Sequence, residues 1–145
     1  MDRVLHHVGC AVADLDASLA SYAQLLGPRR RSPVYPIASQ GVAVCFVELA
    51  PGTYLELIAA TATPSPIDRY VKTGFYHLCF TVDSLAAALA GLGPRFRALP
   101  AFRSEAFAGH ACQFVVTPEL HLIELAEITP AEFTATFAAT ALPPA

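Results

Sequence analysis

The sequence predicts an α+β fold made of two tandem copies of one unit, a strand, a helix and a β-hairpin. Two observations carry that reading. The stretch Leu5-His6-His7-Val8-Gly9-Cys10-Ala11-Val12 leads into Asp14-Leu15 and closes at Leu26-Gly27. It recurs as Gly74-Phe75-Tyr76-His77-Leu78-Cys79-Phe80-Thr81-Val82, which leads into Asp83-Ser84-Leu85 and closes at Leu92-Gly93. A valine stands five positions after each histidine (Val12 after His7, Val82 after His77) and a leucine eight positions after (Leu15, Leu85). The copies also end alike, on Tyr54-Leu55-Glu56-Leu57-Ile58 and Leu122-Ile123-Glu124-Leu125-Ala126, so His7 to Glu56 and His77 to Glu124 are nearly equal intervals. Module one covers about residues 4–58, a linker with a short helix 59–74, module two 75–127 and a tail 128–145. A chain of 145 residues accommodates both in one domain with a shared core.

Taken in order, Val4 to Val12 reads as a strand, and Asp14 is the N-cap of a helix from Leu15 to about Leu26 that Gly27-Pro28 stops. Arg29-Arg30-Arg31 is read as a solvated loop cluster rather than a phosphate site. Pro33 and Pro36 deny ladder pairing except at a sheet edge. Gly41 to Leu49 is apolar and β-branched, Ala50-Pro51-Gly52-Thr53 supplies a turn, and Tyr54 to Ile58 returns. The Ala, Thr, Ser and Pro residues of Ala59 to Pro66 form the linker, and Ile67 to Lys72 a helical turn ended by Gly74. In module two the strand from Phe75 ends near Val82, and Asp83 or Ser84 caps a helix reaching Leu92 before Gly93-Pro94. Arg95 to Arg103 is less regular, Ala111 to Val116 is a strand, Thr117-Pro118-Glu119 a turn and His121 to Ala126 the return strand. Thr129-Pro130-Ala131-Glu132 opens a short helix with no evident chemistry.

Composition excludes several functions. A net charge of −3 with 9 basic residues leaves no electrostatic footprint for nucleic acid or an acidic membrane. Glu48 and Glu56 interrupt the most apolar stretch, so no transmembrane helix is expected. With no leader pattern, and with Cys10, Cys45, Cys79 and Cys112 isolated in apolar segments, the expected location is the reducing cytoplasm. Hydrophobic residues make up 54% and charged residues 14%, a surplus that predicts a subunit interface, most simply a homodimer.

The chemistry lies in the repeat. Residues two apart on a strand share a face, so His7 is placed with Leu5, Gly9 and Ala11 while His6 faces away, and His77 is placed with Phe75, Cys79 and Thr81. Glu56 shares its face with Tyr54 and Ile58, and Glu124 with Leu122 and Ala126. A carboxylate inside an apolar strand is costly to bury unless it is paired or bound to a metal. Any one of the four residues alone reads as ordinary. Repeated in register, His7, Glu56, His77 and Glu124 read as two imidazole and two carboxylate ligands for a divalent ion such as Co, Ni, Mn, Fe or Zn, with positions left for substrate oxygens.

Together, His7-Val8-Gly9-Cys10-Ala11-Val12 with Asp14-Leu15, Leu26-Gly27, Gln40-Gly41-Val42, Ser65-Pro66-Ile67, Gly74 with His77-Leu78, and Leu122-Ile123-Glu124-Leu125 resemble the vicinal oxygen chelate superfamily, over about residues 4–127. Within it the nearest resemblance is to the methylmalonyl-CoA epimerases. The resemblance implies two βαβββ modules whose strands curl into a cup around a divalent metal, with the family's ligands falling on His7, Glu56, His77 and Glu124. In those epimerases the second ligand is commonly glutamine, and a glutamate there is similar to bacterial glyoxalase I. They also carry a glutamate base just before the Gln-Gly-Val motif, where this sequence has Ala38-Ser39. Glu48, at the far end of its strand, is no ready substitute. His110, in Ala108-Gly109-His110-Ala111, matches the family's glycine-rich loop and is a candidate acid or base.

Tyr54, Tyr76 and Phe46 are candidate pocket or core aromatics, and Arg95, Arg97 and Arg103 are loop cations that an anionic substrate such as an acyl-CoA thioester could meet. The implied function is a metal-dependent isomerase or lyase that removes a proton alpha to a carbonyl, with Glu124 or a metal-bound water as proton carrier. Two rivals follow from the same superfamily. One is an iron-dependent dioxygenase, which a fourth ligand at Glu56 disfavours. The other is a non-catalytic small-molecule binder similar to bleomycin-resistance proteins, which an intact ligand set disfavours and the missing base favours.

Overall fold

The computed structural model describes residues 3–62, 64, 68 and 72–140. The predicted helical turn at Ile67 to Lys72 and the end of the tail from Ala141 lie largely outside them. Among the described residues the architecture is one curled mixed sheet of nine strands with three α-helices, an α+β fold. Module one contributes β1 (Val4–Val12), α1 (Leu15–Leu26), β2 (Tyr35–Ile37), β3 (Val42–Ala50) and β4 (Thr53–Ala60). Module two contributes β5 (Gly74–Thr81), α2 (Leu85–Ala90), β6 (Arg97–Ala98), β7 (Phe102–Ser104), β8 (His110–Val116) and β9 (Leu122–Ala126), after which α3 (Pro130–Thr140) follows.

The strand order is β2-β3-β4-β1-β5-β9-β8-β6, with β7 also on β8, so the modules meet through their first strands. β1 runs parallel to β4 and β5 parallel to β9, while β1 and β5 are antiparallel to each other. Around the central pair Val8↔Leu78 the register is reciprocal: His7 faces Cys79 and Gly9 faces His77. Glu56 lies beside Gly9 on one side and Glu124 beside Cys79 on the other. That register places both histidines and both glutamates on one concave face.

Local chemistry accounts for the boundaries. Asp14 accepts from the Ala17 amide at 2.8 Å and Ser84 from the Ala87 amide at 3.3 Å, which settles the second cap on Ser84. Gly27 stops α1 at φ 74. α2 ends at Ala90 with Gly91 as C-cap, two residues before the glycine the sequence pattern favoured. Pro36 sits in the edge strand β2, as its missing amide requires. Within the segment expected to be irregular, Phe102 to Ser104 pairs with β8 and leads into a 3-10 turn at Glu105–Phe107, the counterpart of the Ala38–Gln40 turn between β2 and β3.

The convex face of the sheet is covered by α1, whose Leu15, Leu19 and Tyr22 pack on Val47, Leu55 and Leu57, and by α2, whose Leu85 and Ala88 pack with Val115 and Leu125. The concave face holds Phe46, Tyr54, Ile58, Phe107 and Cys112, closed by Phe133 and Phe137 of α3. A Thr129–Glu132 capping box starts that helix, with Thr129 N donating to Glu132 Oε2 at 2.8 Å and Glu132 N to Thr129 Oγ1 at 3.2 Å. All four cysteines are buried and free. No helix among the described residues is long and apolar enough to cross a membrane.

Candidate metal centre

His7, Glu56, His77 and Glu124 are between 0% and 7% exposed, so their charges have almost no water to lean on. Their side chains converge on one point. His7 Nε2 lies 2.9 Å from His77 Nε2, 3.0 Å from Glu56 Oε2 and 3.2 Å from Glu124 Oε2. His77 Nε2 lies 3.4 Å from each of the same two oxygens. One ring nitrogen carries at most one proton, so a single hydrogen bond cannot serve three neighbours. Ligands about 2.0–2.1 Å from a shared cation stand about 3.0–3.4 Å apart, which is the spacing seen. Two imidazoles and two carboxylates therefore fit a divalent ion in charge, donor type and separation.

Without a cation the histidines and carboxylates favour one another's charged forms. Burial opposes the charged form of His7, but the Glu56 and Glu124 carboxylates overcome it and raise its pKa to about 9. His77 is raised in the same way, burial opposing and the two carboxylates prevailing. Burial likewise opposes ionisation of Glu56 and Glu124, and the two histidines hold both carboxyls below the usual range.

Two residues lie on a different face from the one strict alternation gives. β1 and β5 each carry a register shift, His6 being the extra residue on β1 and Tyr76 on β5. A bulge shifts the alternation by one residue. His6 is therefore 3% exposed inside the cup while Leu5 is 38% exposed, and Tyr76 packs against the inner cluster while Phe75 is 65% exposed. His6 Nδ1 stands 2.8 Å from His7 Nδ1, and the ring is enclosed by Phe46, Tyr54, Phe107 and Phe133. Burial, reinforced by His7, pushes its pKa down to about 2, so the ring is neutral. Adjacent histidines before a Val-Gly were the available signal for this contact, and Phe133 with Phe137 at helical spacing was the signal for the aromatic lid.

His110 is not part of the convergent set. Its Nδ1 is 2.9 Å from the Glu127 carbonyl oxygen at the start of β8. Of the three loop cations, Arg103 donates to the Gly109 carbonyl at 2.8 Å, while Arg95 and Arg97 are exposed; in module one Arg30 pairs with Glu48 at 3.5 Å and lies over the Phe137 ring. A cavity of about 40 Å³ adjoins the cluster, bounded by Glu56, His77 and Glu124 below and by Gln40, Phe102 and Ser104 among the residues above.

The model of the Glyoxalase/Bleomycin resistance protein/Dioxygenase superfamily matches residues 6–114. The mitochondrial methylmalonyl-CoA epimerase of Bos taurus is 37% identical over 92 residues, which are 61% of this chain and 51% of that protein. The ethylmalonyl-CoA/methylmalonyl-CoA epimerase of Cereibacter sphaeroides is 35% identical over 88 residues, 58% of this chain and 64% of that protein. The chain thus spans about half the length of the mammalian relative it matches. The crystal structure of methylmalonyl-CoA epimerase from Mycobacterium tuberculosis superposes with a TM-score of 0.72 at 26% identity, covering 88% of this chain and 89% of that one. By its profile, its fold and its paired strand modules, the chain belongs to the Glyoxalase/Bleomycin resistance protein/Dioxygenase superfamily.

Proposed function

We propose that this protein is a metal-dependent epimerase acting on an acyl-CoA thioester of the methylmalonyl-CoA type. The observation that carries the reading is the convergence of His7, Glu56, His77 and Glu124 through four donor atoms at 2.9–3.4 Å. These residues would hold one divalent ion, of the group Co, Ni, Mn, Fe and Zn. Such an ion supplies Lewis-acid polarisation of adjacent substrate oxygens, lowering the cost of removing a proton alpha to a carbonyl.

The chain's own residues supply the rest. Gln40, Phe102 and Phe114 wall the cavity, limiting the water that reaches the reacting carbon. The Glu124 carboxylate, held ionised, would take the proton from one face of the α-carbon and pass it to solvent, and inversion is completed by a water that delivers a proton to the opposite face. His110, bonded to the Glu127 carbonyl, has no part in this scheme. The protein is read as a cytoplasmic homodimer, in keeping with its free cysteines and with Phe75 and Leu120 exposed at 65% and 83%.

A second reading has one specific support. The turn Ala38–Gln40 brings Gln40 and no carboxylate to the cavity, which suits one-base chemistry of the glyoxalase lyase kind. Metal-loaded protein incubated with methylmalonyl-CoA in deuterium oxide distinguishes them. The epimerase reading expects solvent deuterium at the α-carbon and interconversion of the two stereoisomers, both lost in Glu124→Gln with metal content retained. Unchanged exchange in that variant sinks the role of Glu124, and no exchange in the parent protein moves the assignment to a lyase.

A further inference from the structure

The two modules differ at the residue just before each proposed metal histidine. Both bulges deliver that residue into the cup, but β1 delivers His6 and β5 delivers Tyr76. His7 Nδ1 therefore has a partner, His6 Nδ1 at 2.8 Å. His77 Nδ1 is buried without a hydrogen-bond partner among the described residues. We infer that His6 is a positioning residue for His7: its Nδ1 accepts the His7 Nδ1–H and turns the His7 Nε2 lone pair toward Glu56, Glu124 and His77. The inference deepens the metal reading above and rests on it.

The direction of this hydrogen bond follows from the ligand role of His7 Nε2. Two ring nitrogens 2.8 Å apart share one proton, which belongs to either His6 or His7. Phe46, Tyr54, Phe107 and Phe133 surround the His6 ring at centroid distances from 4.1 to 5.6 Å, and Phe133 and Phe46 meet it at interplanar angles of 90° and 87°. His6 Nε2 has no hydrogen-bond partner there. A neutral His7 that offers its Nε2 lone pair to a cation carries its proton on Nδ1, and that is the proton lying between the two rings. The His6 proton accordingly sits on Nε2 and leaves Nδ1 as the acceptor. Phe133 comes from α3, so the C-terminal helix helps to enclose the ring that orients His7.

An acceptor behind a ligating imidazole raises its basicity and fixes its orientation, and removing one costs roughly 10–100-fold in metal affinity. His7 is thus the pre-oriented ligand and His77 the unassisted one. The test is titration of chelator-stripped protein with cobalt(II), read by heat and by the d–d absorption of the complex, for the parent, His6→Leu and His6→Asn. The Asn carboxamide oxygen reaches the place of Nδ1, so Asn keeps an acceptor and Leu does not. We expect His6→Leu to bind cobalt about 10–100-fold more weakly with a shifted spectrum, and His6→Asn to recover most of the affinity. Equal cobalt affinity in His6→Leu and the parent overturns the inference, as does an equal loss in both variants, which would make His6 a space-filler. Failure of the parent to bind cobalt sinks the metal reading instead. The tautomer is still readable then, from nitrogen–proton correlation of the imidazoles in the metal-free protein, and a proton on His6 Nδ1 overturns the inference there.

Discussion

The two modules are the same device built to different tolerances. Around Val8↔Leu78 each first strand offers a bulged residue, a histidine and, two positions on, a residue facing the other module's histidine. Module two uses Tyr76, His77 and Cys79; module one uses His6, His7 and Gly9. Gly9 is glycine because the His77 ring lies directly over it: a Cβ there would meet Cε1, Nδ1 and Nε2 of that ring well inside van der Waals contact. His77 is itself 5% exposed, so it has little room to yield. The comparison separates what the site demands, the four donors, from what each half worked out for itself.

The largest effect should come from disturbing that asymmetry. Gly9→Ala drives a methyl group into the His77 ring, and the expected outcome is loss of stoichiometric metal uptake with destabilisation of about 1–3 kcal/mol. Cys79→Ala, at the matching position, removes only a sulfur and should keep metal uptake at a cost of about 1 kcal/mol. Metal content and denaturant unfolding of both variants measure this. Full metal occupancy in Gly9→Ala would show the register to be more pliant than described.

A second, intermediate effect concerns protons. The folded pKa of His7 is raised from 6.5 to about 9, burial opposing and the carboxylates prevailing. Its contribution to the stability of metal-free protein is therefore complete below pH 6.5 and is lost as the pH rises to about 9. A cation needs the neutral ring, so uptake in that window releases the proton. With chelator, the Tm should fall between pH 6.5 and 9; in metal-saturated protein, whose His7 is neutral like the unfolded one in most of that window, the Tm should stay nearly level while the affinity rises. A metal-free Tm that stays level there removes the ion pairs from the account.

The smallest effect compares the turns. Module one passes from its 3-10 turn into β3 through Gly41 at φ 62, whereas module two uses Ala108 at φ 52 for the corresponding left-handed step. Ala108→Gly removes backbone strain of about 1 kcal/mol, partly offset by the greater freedom of glycine in the unfolded chain. A Tm rise of a degree or two is expected, and a fall would show that the alanine methyl packs usefully.

Much of this was legible because the modules repeat. The spacing of His7, Glu56, His77 and Glu124 marked four donors that the structure brings together, and Asp14, Ser84, Gly27 and Pro36 marked real caps, stops and an edge. The faces of His6 and Phe75 were not legible, since strict alternation runs straight through a one-residue bulge, and the one local cue was Gly9 beside the second shift. Nor was the role of α3. Phe133 and Phe137 are four residues apart and read as an ordinary apolar stripe, and only tertiary packing sets them against His6 and Tyr54. Gly93-Pro94 looked like the helix stop because the signal was strong, yet α2 had already ended at Gly91.

The union of β1 with β5 has a kinetic consequence. The halves are stitched by backbone hydrogen bonds into one continuous sheet, so the four candidate metal ligands straddle a seam that has no hinge. Jaw-like opening would require unzipping the middle of the sheet. A bound ion would instead enter and leave by way of the cavity that Gln40 and Phe102 help to line, its pace set by the motions of those side chains rather than of the sheet.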